Sequence, residues 1–230
     1  MKRIRSVLFI LLLALSSCQS PNRLQNGDLI FVGLPAGYAS DSGSMDAAIS
    51  SATGEAGALN LTHVAIAEVK ADGIWIIDAT VSRGVDRHPL DTFLRDFSLP
   101  DGSCPEFIVK RVSGVDADAA VERAKSFCGR AYDVRFLPDN EDLYCSELVQ
   151  NCYLDAAGRP VFESEPMNFM APDGTVPPYW KELFEGLGMD IPQGVPGTNP
   201  QKMSEAECLV VIDKDISAAD RNKGERRKGS

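Results

Sequence analysis

An α+β domain is what this 230-residue sequence predicts, and three observations carry that reading. Two β-rich runs, Thr62–Val69 and Ile74–Thr80, flank an Asp72–Gly73 turn signal and form a hairpin. Short apolar runs at Leu29–Val32, Phe107–Val112 and Cys208–Ile212 have the length of strands. Two stretches with helical periodicity, 116–128 and 143–157, lie together between the last two of these runs. Strands and helices in separate blocks point to α+β rather than to alternating βαβ units.

In chain order, the turn signal Asn26–Gly27–Asp28 precedes the first strand, 29–32. Residues 33–60 are rich in Gly, Ala and Ser and read as a long surface loop, with a short helix near Met45–Ser51. After the hairpin, Arg87–His88–Pro89 has the character of a solvated turn, and Leu90–Phe97 of a short helix. In 116–128, Ala120, Val121, Ala124, Phe127 and Cys128 share a helical face, and Gly129 stops the helix. The second helix runs from about Leu143 to Ala157, with Asp142 as N-cap and Gly158 as stop. Residues 166–200 are heavy in Pro and Gly and read as ordered loop around one short helix bearing Trp180 and Phe184. There is no internal repeat, so 27–219 is expected to form one domain, with a disordered charged tail over 220–230.

The N-terminus reads as an export signal. Lys2, Arg3 and Arg5 precede the apolar run Val7–Leu15, which is too short to span a bilayer unaided. Leu15–Ser16–Ser17–Cys18 resembles the lipobox of bacterial lipoproteins. That resemblance implies cleavage after residue 17, lipid on Cys18, a polar tether to residue 26, and a domain held at a periplasmic or outer membrane surface. Of the 23 basic residues, loss of Lys2, Arg3 and Arg5 leaves 20 against 33 acidic ones, a net charge of −13. So acidic a chain offers no phosphate-neutralising surface, which argues against nucleic acid as a partner. With only two histidines and no CxxC pair, no metal or other cofactor is expected. Five cysteines remain after Cys18, an odd number; pairing among Cys104, Cys128, Cys152 and Cys208 is left open.

Cys145 is the candidate nucleophile. It falls in the first turn of a predicted helix, where free N–H groups and the helix dipole favour a thiolate and an oxyanion. His63, at the start of a strand, is the candidate base. If the hairpin turns at Ala71–Asp72, residues 63 and 80 are opposite, and Asp78 becomes a diagonal neighbour of His63 on the same face. A register slip by one would turn Asp78 away.

These segments carry a specific resemblance. Gly27–Asp28–Leu29–Ile30–Phe31, Thr62–His63–Val64–Ala65–Ile66, Ile77–Asp78–Ala79, Tyr132–Asp133–Val134–Arg135–Phe136, Tyr144–Cys145–Ser146–Glu147–Leu148 and Pro192–Pro200 are similar, in order, to the permuted papain-like amidases of the YaeF/YiiX type. That family lies in the NlpC-type cysteine peptidase superfamily. The resemblance implies a circularly permuted papain-like fold: a small antiparallel sheet packed on the helix that carries the nucleophilic cysteine, with the histidine strand ahead of it. By position it implies Cys145, His63 and Asp78 as catalytic residues, and Tyr144, Tyr132 and Asp28 as substrate-binding candidates. Asp78 stands where relatives carry Glu, and Tyr144 where unpermuted relatives place a substrate-binding acid.

The implied activity is cysteine-nucleophile hydrolysis of an amide. For an exported lipoprotein the expected substrate is cell-wall peptide. A lipid or N-acyl amidase or acyltransferase, with Met167, Phe169, Met170 and the 33–60 loop shaping an acyl groove, is the alternative. A non-catalytic wall-binding lipoprotein is the third.

Overall fold

The computed structural model describes residues 24–35, 38, 43–53, 59–99, 102, 105–138, 140–213 and 216. The signal, the lipidation site Cys18, Cys104 and the tail all lie outside these residues. In chain order the elements are β1 (Leu29–Leu34), α1 (Met45–Thr53), β2 (Asn60–Lys70), β3 (Gly73–Thr80), β4 (Gly84–Pro89), α2 (Leu90–Asp96) and β5 (Glu106–Val112). They continue with α3 (Ala117–Ser126), α4 (Cys145–Cys152), β6 (Glu165–Pro166), α5 (Pro178–Leu187), β7 (Pro196–Gly197), α6 (Pro200–Ser204) and β8 (Leu209–Asp213).

Six strands form one antiparallel sheet in the order β4-β3-β2-β1-β5-β8. Alternation along each strand sorts side chains between two cores. Leu29, Phe31, Val64, Ile66, Ile77 and Ala79 join α3 and α4 on one face, while Ile30, Val32, Ala65, Ala67 and Ile76 meet α2 on the other. Covered on both faces, β1 is buried along its whole length. On the second face α2 buries Leu90, Phe93 and Leu94, each contributing about 1.5–3 kcal/mol in apolar area removed from water. A third cluster, around Phe136, Phe169, Trp180 and Phe184, joins α1 and α5 beside the start of α4.

Several elements differ from the sequence reading. Arg87–His88–Pro89 belongs to β4 and is not a solvated turn; His88 is buried, paired with Ile76 across the ladder. Pro89 is tolerated because β4 is an edge strand and Pro89 its last residue. Helix α4 begins at Cys145, not Leu143, and ends at Cys152, where Tyr153 takes up an extended conformation. Its N-cap is Tyr144 rather than Asp142, and Gly158 ends a later turn. Asp116 does cap α3, accepting from the Ala119 N–H, but Cys128 lies beyond the helix and is exposed. Among the described residues Cys128, Cys145, Cys152 and Cys208 are free thiols. No helix among them is long and apolar enough to cross a membrane.

Candidate active site

The hairpin register fixes the first half of the site. Lys70 pairs with Gly73 and Ile66 with Ile77, so the turn is Ala71–Asp72, and alternation along the two strands puts residues 63 and 78 on one face. His63 and Asp78 therefore share a face, and His63 Nε2 lies 2.9 Å from Asp78 Oδ2. Both are buried. Phe97 tilts against the imidazole with 4.6 Å between ring centroids, and Phe93 lies behind it at 6.3 Å.

A bulge supplies the second half. The partner of Val32 is His63 but that of Gly33 is Leu61, which leaves Thr62 as the extra residue. Such a bulge bends the strand and re-aims its side chains, and Thr62 faces the same cavity as Cys145. With Nε2 engaged by Asp78, Nδ1 is the imidazole nitrogen left for Cys145, which lies close enough to influence the charge on His63. Burial works against a charge on His63. Attraction to Cys145, with the hydrogen bonds to Asp78 and Cys145, outweighs it and raises the imidazole to about 10.

Cys145 is the first residue of α4, so the turn that follows it has N–H groups without intrahelical acceptors. Glu147 stands at the third helical position, and its buried Oε2 has no hydrogen-bond partner among the described residues. Burial, with the nearby Asp133 carboxylate adding to it, pushes Glu147 up to about 8. The Tyr144 hydroxyl accepts from the Thr198 N–H at 3.0 Å, and the Thr198 hydroxyl donates to Ser146 at 3.0 Å. These bonds tie the Pro192–Pro200 segment to the start of α4. Burial drives Tyr144 up to about 12.

Asp133 organises the neighbouring wall. Its carboxylate accepts from the Arg135 and Leu137 N–H groups at 2.9 Å each and from Asn140 at 3.1 Å. The loop so held keeps Phe136 at φ 54°, a left-handed conformation uncommon for a bulky residue. Its ring packs edge-on against Trp180 and Phe169. Tyr132 borders the same cavity, with its hydroxyl 3.8 Å from the Met45 sulfur. The resulting cavity, about 40 Å³, opens beside Cys145.

Of the residues singled out in the sequence, the structure gathers Cys145, His63, Asp78, Tyr144 and Tyr132 at one place. Asp28 is a correction. It is fully buried, chelates Arg111 at 2.6 and 2.7 Å and accepts from the Gln25 N–H, and it does not border the cavity. His88 went unrecognised because of Pro89 beside it. Its Nδ1 lies 3.8 Å from Asp78 Oδ1 and 3.4 Å from Asp86 Oδ2, and neither ring nitrogen makes a hydrogen bond within the described residues. Thr62 and Trp180, also in the cavity wall, carried no local motif that could have pointed to them.

An antiparallel sheet presenting a His–Asp pair to a cysteine at a helix start is the arrangement of the papain-like α+β class. The chain belongs to the permuted papain-like amidase enzymes of the YaeF/YiiX, C92 family, whose model matches residues 23–212. It is 27% identical over 121 residues to the uncharacterized protein YiiX of Escherichia coli K12, a stretch covering 51% of this chain and 59% of that one. The alignment thus spans less than two thirds of that relative. The crystal structure of YiiX from Escherichia coli O157:H7, described as a metalloprotein, shares the fold at a TM-score of 0.63 and 24% identity, over 83% of this chain and 97% of that one.

Proposed function

We propose that this chain hydrolyses an amide bond with Cys145 as nucleophile, His63 as general base and acid, and Asp78 as the residue that orients His63. The observation that carries the proposal is the placement of His63, held by Asp78 at 2.9 Å and close enough to Cys145 for the two to interact electrostatically. In the first step Cys145 Sγ attacks the carbonyl carbon, and N–H groups at the start of α4 receive the charge that develops on oxygen. The C–N bond then breaks, and the proton held by His63 passes to the departing amine. Water, deprotonated by His63, attacks the thioester. This releases a carboxylic acid and returns the thiol. The 2.9 Å spacing between His63 Nε2 and Asp78 Oδ2 supports this orienting role.

Among the described residues no group of three His, Cys, Asp or Glu side chains is arranged to hold a metal ion. If Cys18 carries lipid at an outer membrane face, cell-wall peptide is the nearest amide-rich polymer, and we take it as the first substrate class. One observation favours a second reading, an N-acyl amide: the cavity beside Cys145 is mostly apolar. In that case an acceptor other than water would make the same thioester an acyl donor.

The test is alkylation of Cys145 across pH, read by peptide mass spectrometry in the wild type and in His63→Ala. Labelling of Cys145 that is faster than that of the buried Cys152, and slows in the variant, is expected. Cys145→Ser should abolish amide hydrolysis. Slow labelling of Cys145 that is indifferent to His63 would leave a non-catalytic, wall-binding role.

A further inference from the structure

Three buried polar atoms without a hydrogen-bond partner among the described residues gather at one point of the sheet: Asp78 Oδ1 and both ring nitrogens of His88. His63, Asp78 and His88 follow one another on a single face of the neighbouring strands β2, β3 and β4. Phe93 of α2 lies against both imidazoles, with 6.3 and 6.4 Å between ring centroids. Asp78 Oδ2 serves His63 at 2.9 Å, which leaves Oδ1 directed elsewhere. His88 Nδ1 lies 3.8 Å from that oxygen and 3.4 Å from Oδ2 of Asp86, the residue opposite Asp78 on β4.

Packing does not account for His88. It is only 5% exposed, its cross-strand partner is Ile76, and its ring is tilted 26° to that of Phe93. An aliphatic side chain there would leave no polar atom unbonded. Native structures bond the great majority of buried polar side-chain atoms, and the exceptions here complement each other, an acceptor facing a ring that can donate. A small rotation of the His88 ring closes 3.8 Å to the usual hydrogen-bond length of about 2.9 Å. Asp86 competes for the same nitrogen, but its side chain is 38% exposed and Arg83 engages it at 3.4 Å. Arg83 is in turn held by Asp96 of α2 at 2.6 Å.

We propose that His88 is a positioning residue for the Cys145 reaction: its Nδ1–H donates to Asp78 Oδ1 and fixes the carboxylate from the side away from His63. This rests on the reading of Cys145 and His63 as nucleophile and base, and adds the residue that stands behind them. With one oxygen bonded, the carboxylate can still turn about its Cβ–Cγ bond; a second bond on the other oxygen leaves one orientation, and with it one aim for the His63 ring. His88 does not border the cavity beside Cys145, so it acts through Asp78.

The chain has only two histidines, so ring ¹⁵N NMR of the full chain reads the protonated nitrogens of each without crowding. A proton is expected on His88 Nδ1; a bare Nδ1 would overturn the proposal. The second measurement is the rate at which iodoacetamide alkylates Cys145, read by peptide mass spectrometry. His88→Leu is expected to slow it about tenfold, the loss of one hydrogen bond to a charged group. His88→Asn, whose amide N–H can replace Nδ1–H, should stay within about threefold of the wild type. In an Asp78→Ala background, His88→Leu should change the rate no further. A folded His88→Leu that labels at the wild-type rate, or is slowed equally with and without Asp78, overturns the inference while His63→Ala still slows labelling. If labelling is indifferent to His63→Ala as well, the reading of the pair fails and the inference with it.

Discussion

Replacing Asp78 by Asn tests the link between the hairpin and the chemistry. The substitution keeps the volume of a fully buried side chain and removes its charge. In the wild type His63 is raised from 6.5 to about 10 against the opposing effect of burial, by Cys145 and Asp78 together. At 1.36 kcal/mol for each pH unit, that rise corresponds to about 5 kcal/mol in favour of the imidazolium. One hydrogen bond to a charged group contributes about 1.5–3 kcal/mol of this, or one to two pH units. The sign follows from the raised value. In the proposed mechanism the imidazolium is the proton donor to the leaving amine, so activity falls as pH rises through the folded-state value. Weakening the imidazolium moves that fall to lower pH. For hydrolysis of an N-acyl p-nitroanilide, the alkaline limb of kcat/KM is expected near 10 in the wild type and one to two units lower in Asp78→Asn. Circular dichroism and thermal melting establish that the variant is folded. A folded Asp78→Asn whose alkaline limb stays within about 0.3 unit of the wild type would refute the coupling, and Asp78 would then be a structural partner only.

Two further outcomes follow from groups near this frame. Asp28→Ala removes the carboxylate that chelates Arg111, which is about a quarter exposed. Solvent screening holds the expected loss to about 2 kcal/mol in urea unfolding. Acylation of Cys145 per folded molecule should be unchanged, because Asp28 does not reach the cavity; a lost acylation rate would restore it to the site. Glu147, raised to about 8, favours its neutral form in the fold. Its contribution to stability is full below about 4.5 and lost as pH rises through 8, so Glu147→Gln should remove a decline of order a few kcal/mol between those values. An unchanged pH profile of urea midpoints would show that Glu147 ionises freely.

The parts of the molecule governed by short-range chemistry could be read directly from the chain. The Asp72–Gly73 turn fixed the hairpin, and the hairpin fixed which face Asp78 shares with His63, because its register depends on the turn alone. The Asp116 cap and the apolar spacing of α3 are equally local. What escaped depends on distant partners. Nothing near His88 indicates that β3 covers it, and the Pro that ends β4 argues locally for a turn. Asp28 sits inside a family motif, yet its role is set by Arg111, 83 residues away. The cavity wall draws on α1, the loop at Phe136, α5 and the 198–200 segment, so no periodic pattern announces it. The start of α4 moved from Leu143 to Cys145 because Tyr144 is extended, its hydroxyl bonded to Thr198.

The far end of α4 is anchored as firmly as its start. Tyr153, the residue that follows the helix, donates its buried hydroxyl to the Gly27 carbonyl at 2.8 Å, and Arg123 donates to the Cys152 carbonyl at 2.7 Å. Eight residues at 1.5 Å each make a rod of about 12 Å between these anchors and the sulfur of Cys145. Tilting such a rod by about 5° carries its tip about 1 Å, a displacement that can cost about a hundredfold in rate. The aim of the nucleophile is thus set partly at the N-terminal edge of β1. Substitutions at Gly27 or Tyr153, remote from any substrate, belong among the ways this site can be detuned without touching it.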